Sequence, residues 1–509
     1  MGDNSRLAKN TILLYIRMLA QMAISLYTSR IILQNLGITD FGLYNVVGGV
    51  VIMFSFLNSA MNSSTQRYLT IAVGKQDEEN LKKTFNVSIV IHTIIGLGIV
   101  LLCEVFGIWF ISNKMSIPAG RELAVYWAFQ LSLVSVFVST MTIPYNALLI
   151  AREKMATFAY FSILGVLFQL FVAYSLSVVS FDRLIFYTFL LVVFGIFMRF
   201  LYGLYCNKNF PECKFKYYKF DGLYREMTVF AAWGLLGHFS CIINSSIQNM
   251  MLNVFFSPVI NAARGIALKV SDAVMRFNEN FQMAVSPQIT KLCAIGEKKR
   301  MFTLVYNSSR FSIYLMWLLS LPVIICMDDI LDMWLVEIPD YTSIFLKLVL
   351  IDNLINSIAN PLNMAIRANG QIKYPEICGG LILILNLPLA YLFLLHGYNP
   401  HSVFVIMIVC DILCHCSRVF FAFYYLQMSI KTYLVKVVII PIVIIILSLL
   451  CPYYIYDNYA FDSHILNIIL YGGLSLLSVI TCVYCFGINK TEKIYIWSIF
   501  KKRFNLYKG

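Results

Sequence analysis

From Asn10 to Gly487 the sequence breaks into about fourteen apolar stretches, most of them at or above the roughly 20 residues that carry an α-helix across a bilayer. Nothing constrains the fold more. In lipid an open backbone group finds no outside partner, so spanning segments are helices or closed barrels. These long runs lack the alternation of barrel strands and predict helices. Of 509 residues, 60% are hydrophobic and 13% charged, too little polar surface for an ordinary water-soluble fold. The expectation is an all-α polytopic membrane protein.

The predicted spans are approximately 10–37, 41–73, 84–111, 121–150, 156–180, 184–206, 227–256, 259–289, 301–327, 341–366, 374–395, 401–426, 435–452 and 465–487. Alternate connections hold the cations: Lys75, Lys82 and Lys83; Arg152 and Lys154; Lys208, Lys214, Lys216, Lys219 and Arg225; Lys298, Lys299 and Arg300; Arg367 and Lys373; Lys431 and Lys436. The other connections hold Lys114, Arg121 and Arg183, then only acids, from Asp328 to Asp340. The excess of positive charge places the first set, with both termini, in the cytoplasm. The net charge of +13 is thereby explained by topology, with no basic, aromatic-interleaved face that would call for nucleic acid. The first apolar run lacks a small-residue cleavage site and reads as a span rather than a signal peptide. Thirteen cysteines lie mostly within spans; Cys482 and Cys485 have CxxC spacing, but no second ligand pair completes a zinc site, and no metal is predicted.

The chain repeats itself. Pro144, Asn146 and Ala151-Arg152 close the fourth span as Pro361, Asn363 and Arg367-Ala368 close the tenth, and Gly74-Lys75 ends the second where Gly296-Glu297 ends the eighth. Two pseudo-symmetric six-helix lobes are implied, in parallel orientation around a central cavity, with a helix pair appended. The corresponding division is an N-lobe at 1–206, a basic inter-lobe loop at 207–227, a C-lobe at 228–426, the final pair at 427–487, and a basic amphipathic tail at 488–509 on the inner leaflet.

Polar residues inside the spans fall on single helix faces. The first span aligns Asn10, Arg17, Gln21, Ser25 and Thr28; the second Ser55, Ser59, Asn62 and Gln66; the seventh Gly237, Cys241, Asn244 and Gln248; the eighth Arg264, Ser271, Glu279 and Gln282. Isolated Ser or Asn residues serve as interhelical glue. Arginines are another matter, each costing roughly 2.5 to 3.5 kcal/mol at a helix centre unless water or a counter-ion attends it. Lys269, Asp272, Arg276 and Glu279 have spacings that allow local ion pairing. Arg17, Arg30 and Arg264 have no acid nearby in sequence, and guanidinium forks suit phosphate oxygens. Asp352, Asn356, Asn360 and Asn363 share a face of the tenth span able to hold sodium or, at Asp352, a proton. On the twelfth, Asp411, His415 and Arg418 predict an internal network in which Arg418 satisfies Asp411.

The stretch from Leu36 through Gly37 and Phe41-Gly42 to Tyr44 resembles the LGxxxFGxY signature of polysaccharide flippases in the multidrug/oligosaccharidyl-lipid/polysaccharide (MOP) exporter superfamily. Pro144 to Met155 is similar to the end of their fourth helix, and the likeness extends over essentially the whole chain. It implies a MATE-like, two-lobed transporter of the bacterial inner membrane. Such a protein passes a polyprenyl-diphosphate-linked oligosaccharide, an O-antigen or capsule repeat unit, to the outer leaflet by alternating access. Relatives that flip a peptidoglycan precursor carry arginines on the first, second and eighth helices; Arg17 and Arg264 match the first and eighth, and Arg67 is the only arginine on the second. On this reading the substrate residues are Arg17, Arg30, Arg264, Gln21, Ser25, Asn62, Gln66, Asn244, Gln248, Lys269 and Arg276. Asp352, Asn356, Asn360 and Asp411 are the candidates for coupling to sodium, protons or membrane potential. No catalytic residue and no cofactor is expected; the partners are the lipid-linked glycan, the phospholipid bilayer and a glycan polymerase or assembly protein. The alternatives are a multidrug exporter of the same fold and a membrane-embedded glycan polymerase or glycosyltransferase.

Overall fold

The computed structural model describes residues 3–494 except 54, 114, 116, 257, 336–337, 460 and 490–491. It gives the backbone alone at 3–9, 26, 29–30, 33, 38–39, 42, 45–46, 49–53, 55–56, 238, 246, 253 and 258. Helix makes up 88% of it, and no strand occurs among the described residues. The helices are α1 (Asp3–Met53), α2 (Ser55–Gly74), α3 (Glu78–Asn113), α4 (Glu122–Ala151), α5 (Met155–Ser175), α6 (Arg183–Asn209), α7 (Gly222–Phe255) and α8 (Pro258–Ala294). There follow α9 (Lys298–Ile325), α10 (Met327–Trp334), α11 (Thr342–Asn369), α12 (Lys373–Leu395), α13 (Ser402–Leu426), α14 (Ile430–Tyr433), α15 (Ile440–Tyr459) and α16 (His464–Cys482).

Eleven of these helical segments are long and apolar enough to cross a membrane. Three predicted spans fall outside that group: α1 up to Gly37, the rest of α1 with α2, and α8. They are the first, second and eighth spans, on whose faces the sequence places Arg17, Asn62 and Arg264. Gly37, at φ 77°, breaks the run between the first two spans; without a Cβ it takes this left-handed backbone at no steric cost. The acidic connection after α9, expected as a loop, contains the short helix α10 instead.

The motifs that carry the family likeness are structural joints. Arg121, before α4, forms ion pairs with both Asp40 and Asp182, and Asp182 also caps α6 by accepting from the amides of Leu184 and Ile185. After α4, Arg152 donates through Nε and Nη2 to Glu212 Oε1 at 3.0 and 2.7 Å, while Glu153 takes the Lys291 ammonium at 2.6 Å. The repeat has a matching backbone signature. After α2 the amide of Gln76 donates to Val73 and that of Asp77 to Ala72; after α8, Gly296 donates to Cys293 and Glu297 to Leu292. Both are left-handed helix closures that use otherwise orphaned carbonyls.

The chain separates into two compact units. One comprises Met1–Phe239 with Met283–Glu297, the other Ser240–Gln282 with Lys298–Gly509. The dividing points lie inside α7 and α8, so each of these helices gives one part to each unit.

Candidate functional site

In the first unit the core around the first span is formed by Leu14, Ile150, Met155 and Ala284, with Phe158 and Met283 packed against it. Arg17 lies one helical turn from Leu14, and its Cζ sits 4.8 Å from the centre of the Phe158 ring, well within cation–π range. Gln21, a turn further, is half-buried; Ser25 is exposed and its carbonyl accepts from the Thr28 hydroxyl at 3.1 Å. On α2, Asn62 and Gln66 are half-buried, and Asn62 Oδ1 is shielded from solvent with no hydrogen-bond partner. Arg67 lies 4.9 Å from both the Tyr68 and Phe230 rings. The side chain of Arg30 lies outside the described residues, as does most of the basic tail. His92 is packed in α3 and bonded to the Ser88 carbonyl.

The second unit has a denser polar interior. Arg264 is only 7% exposed, and its Nη2 donates to the Ser245 carbonyl and hydroxyl, each at 3.2 Å. Its Nη1 reaches Asn249 Oδ1 at 3.5 Å, while Nε, also buried, has no acceptor among the described residues. No carboxylate pairs with it among the described residues. Beside Ser245 in the chain, Asn244 Oδ1 accepts from both Gln248 and Asn386, at 3.0 and 2.9 Å, making a buried amide cluster across α7 and α12. Ser271 accepts from Asn353 at 2.6 Å, and Gln282 donates to Ser312 and to the Ser357 carbonyl.

Two expectations about charge in this unit fail. Lys269, Asp272, Arg276 and Glu279 are all exposed and form no close ion pair with one another among the described residues. Among the described residues Arg418 forms no ion pair with Asp411. Asp411 instead approaches Asp352 of α11 within hydrogen-bonding reach, and His415 points its Nε2 toward the Tyr433 hydroxyl at 3.4 Å. Asp352 is 6% exposed; its Oδ2 accepts from Asn356 at 3.0 Å, and its Oδ1 has no donor among the described residues. Asn360 is half-buried on the same helix.

Sequence spacing could not reveal Ser245 and Asn249 as the partners of Arg264, because they approach it from another helix. Asn386 stands out in the sequence as an amide in the middle of an apolar run. Among the described residues no three His, Cys, Asp or Glu side chains gather as metal ligands.

Solved structures share this fold: a multidrug resistance MATE family transporter of the MOP superfamily, in its outward-facing conformation, matches with a TM-score of 0.70 at 12% identity, covering 84% of this chain and 97% of that one. The Vibrio cholerae MATE transporter VcmN in its bent form matches at 0.68 with 15% identity, over 85% and 98% of the respective chains. A MATE transporter in complex with MaD3S matches at 0.68 with 12% identity, over 84% and 96%. No family model and no curated protein matches the sequence. The likeness is one of fold, a MATE-like fold of the MOP kind.

Proposed function

We propose that the protein is a flippase for a polyprenyl-diphosphate-linked oligosaccharide, an O-antigen or capsule repeat unit, carried from the cytoplasmic to the outer leaflet of a bacterial inner membrane by alternating access. The observation that carries this reading is the Arg264 site. A buried guanidinium surrounded by neutral oxygens, with one N–H direction unused, keeps its charge for an incoming anion, and a diphosphate offers the matching oxygens. Arg17, resting on a ring face, offers a second cation in the first unit. Arg30, Lys269 and Arg276 would add to the attraction, and Gln21, Ser25, Asn62, Gln66, Asn244 and Gln248 would hydrogen-bond the sugars. The Asp352–Asp411 pair, with Asn356 and Asn360, is the candidate for coupling to protons or sodium. A glycan polymerase would receive the product.

The test replaces Arg264, then Arg17, by Ala and measures surface glycan in a flippase-null host. Loss of surface glycan with build-up of the lipid-linked intermediate is the expected outcome; full complementation by both variants removes the arginines from the mechanism. Multidrug export is the second reading, favoured by the likeness to a multidrug resistance transporter and by an acid pair able to meet a cation. Energy-dependent export of a cationic dye that is lost in Asp352→Asn, with no effect of Arg264→Ala, would decide for it.

A further inference from the structure

We infer that α3 and the start of α7 form a binding site for one anionic phospholipid of the surrounding bilayer, with its phosphate at Arg225 and an acyl chain along Ile91, Ile94 and Ile95. The groove between these elements has a volume of about 480 Å³, a size typical of small-molecule sites. Its walls are apolar. Ile91 is buried, Ile94 is 54% exposed, and Tyr224 closes the floor with its ring 4.4 Å from that of Phe220. Since α3 is a membrane span, the medium facing Ile94 is hydrocarbon, and a chain lying there trades nothing polar away.

The polar end of the groove has a surplus of positive charge. Asp221 is committed to Lys83, whose ammonium holds this carboxyl below the usual carboxylate range. Arg225, one helical turn on, is exposed and forms no ion pair among the described residues. The chain leading into the groove alternates cations with rings: Lys214, Phe215, Lys216, Tyr217, Tyr218, Lys219, Phe220. Phe215, Tyr217 and Phe220 are all more than half exposed, the composition and exposure of a segment lying at headgroup level on an anionic leaflet. It is held in place, because the Lys216 amide donates to Asn86 Oδ1 of α3 at 2.9 Å and Glu212 is clamped by Arg152. An apolar groove ending in an uncommitted guanidinium, framed by lysines, fits a lipid with net negative charge better than a zwitterionic one.

Native mass spectrometry of the full-length protein in mixed micelles of equal phosphatidylglycerol and phosphatidylethanolamine tests the site. The wild type is expected to retain phosphatidylglycerol over phosphatidylethanolamine by about fivefold, the effect of one basic side chain near an anionic group. Arg225→Gln should bring the ratio near one, and Ile94→Trp, which fills the groove from its lipid-facing wall, should lower retention of both lipids. A wild-type ratio near one, or a ratio unchanged in Arg225→Gln, overturns the assignment. So does displacement of the retained phosphatidylglycerol by polyprenyl phosphate at equal concentration, which would give the groove to an isoprenoid chain instead.

Discussion

In the first unit, Arg17 lies over the Phe158 ring and Arg67 beside those of Tyr68 and Phe230. In the second, Arg264 is held by the oxygens of Ser245 and Asn249, next to a buried amide cluster and a carboxyl pair. A ring face takes up positive charge through its quadrupole and leaves the direction of the N–H fork loosely set. Oxygen acceptors bind particular N–H groups and so fix the fork's orientation. At Arg17 the Phe158 face takes up charge, whereas at Arg264 the oxygens of Ser245 and Asn249 also set the direction of the fork.

Exchange of Arg for Lys separates the two directly and should have the largest effect. Arg264→Lys loses the planar fork that spans Ser245 and Asn249, and glycan transport should fall by at least about tenfold, the equivalent of ~1.4 kcal/mol. Arg17→Lys keeps a cation over the Phe158 ring and should fall by less than about threefold. Radiolabelled surface glycan in a flippase-null host reads both, and equal losses would erase the distinction.

The repeat-related joints supply the next contrast. Arg152 pairs with Glu212, which is 3% exposed, and Arg367 pairs with Glu376 at 2.7 Å, where the carboxylate is 11% exposed. Removing one partner of a buried pair strands the other charge at a cost of roughly 3–5 kcal/mol. Arg152→Ala should therefore approach that range and Arg367→Ala fall below it, as measured by thermal unfolding of the detergent-solubilised protein.

Much of this architecture is written locally. The spans follow from apolar length, the first break from Gly37, and the span ends at Arg152 and Arg367 from short motifs, whereas Glu212, the partner of Arg152, comes from a distant part of the chain. The charged faces are less legible. From α13 alone, Arg418 was the natural partner of Asp411 two helical turns along, whereas the contact that forms is with Asp352, which arrives from α11. Likewise Phe158 lies far along the chain from Arg17, and no spacing rule connects them. The helix α10 went unseen because eight residues in an acidic connection carry too short a pattern to register.

Close approaches between helices differ between the units as well. A Cβ added at Gly107 of α3 would meet Phe129 Cζ of α4 at 2.2 Å, while one at Gly379 of α12 would meet Cys414 Sγ of α13 at 3.4 Å. The first demands that a fully buried ring move; the second is an ordinary contact. Overpacking a close-packed core costs roughly 1–3 kcal/mol, so Gly107→Ala should lower the unfolding temperature, and Gly379→Ala should leave it nearly unchanged.

The smallest expected effect concerns the connections that carry few cations. The first unit ties them with one guanidinium between two acids, Arg121 with Asp40 and Asp182. The second inverts the arrangement: Asp329 of α10 gathers Tyr456 and His464 at 2.7 Å and Asn467 at 3.0 Å. Burial pushes the Asp329 carboxyl up, but the donors from Tyr456, Asn467 and His464 outweigh it and hold the group below the usual range. A depressed carboxyl stabilises the fold above its unfolded value, about 3.9, and that contribution is lost as pH falls through the folded value. Unfolding temperature should then be flat from neutral pH to about pH 5 and decline below it. Asp329→Asn should start lower and lose part of that acid-side slope; the same slope in the variant would mean that the titrating groups lie elsewhere, with the Arg121 joint the first place to look.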